Sequence, residues 1–130
     1  MIEQTALETT IWNYTPYPSP IEETQLIPNV ISLEVQKKRN SQKKGIALRF
    51  TTKFTYEDHL ILEFSGEHSY VIDFNEDIDR AELRKMIRNS YQMFKDAFDF
   101  KKLNTTLNQR ELQQFKDSEV NMDGILPMLI

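Results

Sequence analysis

The chain has no cysteine, which excludes a disulfide framework, a thiolate nucleophile and any zinc site built on sulfur ligands. Its 3 glycines do not allow a G-x-G-x-x-G or G-x-x-x-x-G-K pattern, so the glycine-rich loops that cradle phosphates are excluded as well. Long apolar runs are missing too: none approaches the roughly 18 residues that a membrane-spanning helix needs. The opening MIEQTALETTIW lacks the basic and apolar regions of a secretory leader. A cytoplasmic protein without a membrane span is the expectation. Positive charge is not in excess either, since the formal net charge is -4, and nothing draws the whole chain to nucleic acid or to acidic lipid.

What remains is one domain's worth of chain, 130 residues, with bulky core material in 8 Phe, 5 Tyr and 1 Trp. Residues 1–29 carry Pro16, Pro18, Pro20 and Pro28, which break helices, and read as an extended arm, with a first strand placed within Thr5 to Tyr14. Trp12, Tyr14 and Tyr17 interleave with these prolines. Such rings are packed on a surface, either that of the same domain or that of a partner. Residues 30–130 read as a single α+β domain.

In Val30 to Lys38, Ile31, Leu33 and Val35 alternate with Ser32, Glu34 and Gln36, the period of a half-buried strand. Lys37, Lys38, Arg39, Lys43 and Lys44 then surround a loop. These cations can grip phosphate, although no aromatic ring interleaves with them to stack on bases, and they also suit a guarded sheet edge. Ile46, Leu48, Phe50, Phe54 and Tyr56 share one face of the next strand, followed by Leu60, Leu62 and Phe64, then Tyr70, Ile72 and Phe74. With turns at Glu57–His59 and Gly66–His68, both of odd length so that the even-numbered side chains stay on one face, the expected fold is an antiparallel meander of about four strands.

One long helix covers the greasy face. Asp79 is its N-cap with Glu82 three residues on, and Ile78 staples to Leu83. Leu83, Met86, Ile87, Ser90, Phe94, Ala97 and Phe98 form its apolar stripe, with Arg84, Lys85, Arg88, Gln92 and Lys95 opposite. A shorter second helix is expected at Asn108 to Lys116, from the same capping pattern at Asn108 and Glu111. The tail ends in Ile125, Leu126, Pro127, Met128, Leu129 and Ile130, and either packs back on the fold or offers an adhesive surface.

Chemistry finds little footing. Asp73, Asn75, Asp77 and Asp79 alternate like calcium ligands, but the sixth and twelfth places of such a loop hold Ile78 and Arg84 instead of Gly and Glu. Helix capping accounts for these acids. His59 and His68 fall in expected turns roughly 25 Å apart along one strand, too far to share a metal or a proton. There is no G-x-S-x-G elbow. No enzyme, cofactor or metal is expected.

The layout of strands around Leu48 to Phe54 and Leu60 to Phe74, a helix with Arg88, Ser90 and Tyr91, and the spacing Leu103, Leu107, Leu112 and Phe115 resembles the SecB-like export chaperones. The likeness covers Val30 to Phe115 and is one of layout. The prolines usual around that family's first helix are absent here. It implies a dimer or tetramer that holds unfolded polypeptide without ATP, with Trp12, Tyr14, Tyr17, Ile125, Leu126, Met128, Leu129 and Ile130 as the partner-binding residues. A small acidic inhibitor that docks on a folded enzyme, and an RNA-binding module using Lys37, Lys38, Arg39, Lys43 and Lys44, are the alternatives.

Overall fold

A computed structural model describes residues 2–16, 27–28, 32–39, 43–73, 77–112, 115 and 120–129. Its strands are β1 (Ile2–Gln4), β2 (Glu8–Tyr14), β3 (Ile27–Pro28), β4 (Ser32–Arg39), β5 (Lys43–Tyr56) and β6 (His59–Asp73); its helices are α1 (Arg80–Lys101) and the short α2 (Met122–Ile125). The fold is α+β: an antiparallel sheet four strands wide with the long helix on one face. β1 and β2 lie end to end along β6, and β3 and β4 end to end along β5. Only β4, β5 and β6 form the expected meander. The segment read as an arm contributes β1, β2 and β3, the first two hydrogen-bonded to β6 from Ile2↔Ile72 to Tyr14↔Leu62. The first strand is thus returned beside the last, a Greek-key arrangement.

The hairpin between β5 and β6 shows how side-chain parity is kept. Its loop is two residues, Glu57 and Asp58, both at positive φ (47° and 64°), which is the requirement of a type I′ turn. A two-residue loop alone would set even-numbered residues opposite odd ones. The pairing runs Tyr56↔His59 and Thr55↔Leu60 but then Phe54↔Leu62, so a β-bulge at Ile61 absorbs one residue and returns Phe50, Phe54, Leu62 and Phe64 to one face. Glu57 and Asp58 bear a steric cost there that an asparagine followed by a glycine avoids. The double substitution Glu57→Asn with Asp58→Gly is expected to stabilise the fold by about 1 kcal/mol, read as a higher denaturant midpoint at constant slope.

The second expected hairpin, at Gly66–His68, does not exist. β6 runs unbroken through it, which is why the even-numbered pattern from Leu62 to Ile72 never changes phase. Gly66 serves close approach: a Cβ there would lie 3.1 Å from both Leu7 Cδ2 and Phe94 Cδ2. The glycine lets the link between β1 and β2 and the helix converge on β6.

α1 follows its grammar. The Asp79 side chain accepts from the Glu82 amide at 2.8 Å, and Leu83, Met86, Ile87, Ser90, Phe94 and Phe98 are buried, with Ala97 half-buried. Beneath them lie Ile46, Leu48, Phe50, Phe54, Leu62 and Phe64, all at 0% exposure. The aromatic centre is layered: Phe94 stacks on Phe64 with centroids 4.6 Å apart, and Phe98 on Phe54 at 5.7 Å.

The second helix is displaced from its expected place. Residues 106–109 form a turn and 110–112 are irregular, while the short helix is α2, capped by Asn121 accepting from the Gly124 amide at 3.1 Å. Local capping signals at Asn108 and Glu111 lose to tertiary anchoring, because Leu107, within the turn, and Leu112, beyond it, are both buried in the core. Phe115 packs inward on Phe50 at 5.3 Å, as its spacing implied.

Candidate functional site

α1 ends on a seat built from three directions. Lys102, 8% exposed, sits in the closing 3-10 turn Lys102–Asn104, donates to the Arg110 carbonyl and pairs with Asp99 at 3.1 Å. Thr105 closes the turn by donating its hydroxyl to the Lys102 carbonyl at 2.7 Å. Leu107, fully buried, anchors the chain beyond. From β2, Trp12 meets Phe64 edge-on at 5.5 Å and carries the Lys101 ammonium 5.5 Å above its own ring. The Tyr14 hydroxyl accepts from the Thr106 amide at 3.0 Å and lies 2.9 Å from the Thr106 hydroxyl. These contacts fix the helix end against the N-terminal edge of the sheet.

On that fixed end stand two uncovered apolar side chains, Phe100 at 77% and Leu103 at 61% exposure. They are three residues apart and follow Gln92 and Asp96 on the outward ridge of the helix, where Gln92 donates to Asp96 at 2.9 Å. Scattered surface apolar groups are ordinary; a neighbouring aromatic and leucine on a pinned helix end make a preformed apolar knob. The sequence carried the signal for them. Phe100 falls out of phase with the buried stripe that ends at Phe98, and Leu103 follows at helical spacing.

The residues expected from the sequence to bind a partner do not include this pair. Trp12 and Tyr14 are half-buried and engaged by their own chain, while Tyr17 and Ile130 lie outside the described residues. Ile125 is 8% exposed in the core and Leu126 packs against it; Met128 and Leu129 fall in the final 3-10 turn. The basic cluster gathers at one end of the sheet through Arg39↔Lys44, Lys38↔Gly45 and Lys37↔Ile46. Lys44 is buried, Lys37 is exposed and Lys43 faces Asp73 across the ladder; the side chains of Lys38 and Arg39 lie outside those described.

A polar row crosses the sheet on the face opposite α1. Glu34, Arg49, Glu67 and Glu8 stand in one row across four strands, with Arg49 3.9 Å from Glu34, and Lys53 lies 3.7 Å from Glu63. Among the described residues no group of three or more His, Asp or Glu is placed to hold a metal ion. No helix among them is long and apolar enough to cross a membrane.

Tyr91 owes its altered protonation to packing. Burial, and then the charge of Asp99, push the Tyr91 phenol up to about 12, where it remains neutral between Phe50 and Phe115. His59 is exposed at the start of β6 as a turn-flanking residue, but His68 is in mid-strand and fully buried, a correction to its expected place in a turn. Nine residues of strand still separate the two by about 30 Å.

No protein-family model matches the chain, and no curated protein matches it.

Proposed function

We propose that this protein binds polypeptide without catalysis and works as an oligomer, in the manner of the SecB-like chaperones whose layout it resembles. The observation that carries the reading is the exposed Phe100–Leu103 pair on a helix end held in place by Lys102, Leu107 and Trp12. Unfolded chains offer apolar side chains and unpaired backbone groups. The protein offers counterparts to both: an apolar knob, and two outer edges where β1 and β2 pair with β6 and β3 and β4 with β5.

Binding is tested by passing the protein with a permanently unfolded polypeptide, such as a reduced and alkylated globular protein, over a sizing column without nucleotide. Co-elution is expected with the unfolded form and not with the same protein in its folded state. Elution apart in both cases ends the holdase reading. Capture of one folded enzyme in place of unfolded chains favours a small inhibitor.

The oligomer is tested separately by light scattering on the eluting peak, which is expected to give two or four times the monomer mass. A monomer mass refutes that part. A fall to monomer on removing residues 127–130, which spares buried Ile125 and its neighbour Leu126, assigns the tail to the interface.

A further inference from the structure

A polar seam runs through the otherwise apolar contact between α1 and the sheet. His68, at 0% exposure, sits in mid-β6 with Nδ1 2.6 Å from the Ser90 hydroxyl of α1. Beside it the Tyr70 hydroxyl donates to the Met86 carbonyl at 3.1 Å. The Asn89 amide reaches both the Tyr70 oxygen at 3.0 Å and Gln4 of β1 at 2.9 Å. The seam lies where the edge of the sheet is thinnest, at the break between β1 and β2. There the Thr5 amide donates to the Ser69 carbonyl at 2.9 Å and Leu7 rests over Gly66.

We propose that this seam is an acid-operated latch, in which a proton on His68 frees β1 and the 5–7 link from the edge of β6. Among the described residues the ring has no counter-charge. From β6 it is faced by the Tyr70 phenol, centroids 4.7 Å apart; from α1 by the Ser90 hydroxyl; from β5 by Leu48 in register; and from the link by the Thr5 backbone. Tyr70 is the one titratable group among these, and no carboxylate or cation contributes to the ring's protonation balance. Among the described residues Nε2 makes no hydrogen bond of good geometry, and the contact that favours a proton on the ring is the Thr5 backbone. A buried imidazolium in such a place is hydrated or expelled, and the cover that yields is the link, whose Thr5 and Ala6 are already exposed. β1, with three residues, has little ladder of its own to resist.

The sign follows. Burial holds His68 below its ordinary 6.5, more strongly than the Thr5 backbone raises it. The opened seam therefore takes up the proton more readily than the closed one. The latch is fully closed above about pH 6.5 and weakens as pH falls from there toward the folded-state value.

The test is amide hydrogen exchange on the intact protein, with rates corrected for intrinsic pH dependence. Protection at the Thr5 amide is expected to fall between about pH 7.5 and pH 5.5, by at most about tenfold, while amides in the middle of α1 keep theirs. In His68→Gln the profile is expected to be flat, whereas His59→Gln behaves as wild type. Unchanged wild-type protection, or the same fall in His68→Gln, overturns the proposal. Should His68→Gln fail to fold, the wild-type imidazole is titrated by NMR. A midpoint below 6.5 that tracks the loss at Thr5 supports the latch; a midpoint at or above 6.5 overturns it.

Discussion

Replacing Phe94 with alanine is expected to cost about 3–5 kcal/mol, a large share of the roughly 5–15 kcal/mol that holds a domain of this kind together. Phe94 joins the two layers. It is fully buried, stacked within 7° of parallel on Phe64, and lies 5.7 Å from Phe50. Removing it leaves a cavity between β5, β6 and α1, lined by Phe50, Phe64 and Tyr91. The measurement is the denaturant midpoint at constant slope. Phe64→Ala should cost a similar amount, and the double variant less than the sum, by about 0.5–1.5 kcal/mol for the stacked pair. A loss below about 1 kcal/mol for Phe94→Ala would mean that helix and sheet are not packed through this ring.

The variant Phe100→Ser with Leu103→Ser should behave in the opposite way. Both side chains are exposed, so stability should stay within about 0.5 kcal/mol of wild type. If the pair is the centre of a binding surface, truncating it removes on the order of 2 kcal/mol or more of binding energy, a weakening of about thirtyfold or greater. Fluorescence anisotropy of a labelled unfolded polypeptide reads this directly. Trp12, the chain's 1 tryptophan, supplies an internal reporter of whether the helix end stays seated. Unchanged affinity with an intact fold places binding elsewhere, on the sheet edges or the tail.

The helix and its neighbours were legible because their instructions are local. The Asp79 cap, the Ile78 position and a stripe at spacings of three and four each act within a few residues, and the buried set matches that stripe. Strand character in β4, β5 and β6 was legible for the same reason, through alternation. Pairing was not, because Glu8 finds Glu67 and Trp12 finds Phe64, contacts between segments far apart in the chain that no short window reports. Gly66 misled because glycine among serines reads as a turn, whereas here it makes room for Leu7 and Phe94. At Asn108 a sound capping pattern was overruled by two buried leucines. Trp12 and Tyr14 dock on their own chain, and that depends on where β6 lies. Phe100 and Leu103 were visible only as a break in phase, which has meaning once the helix's inner face is known.

Light scattering from a client diluted out of denaturant, followed with and without the protein at an equal molar concentration and without nucleotide, tests polypeptide binding most directly. The account predicts that wild-type protein suppresses the rise in scattering and that the folded Phe100→Ser, Leu103→Ser variant does so far less. A client that aggregates at the same rate and to the same extent with wild-type protein as without it would contradict it.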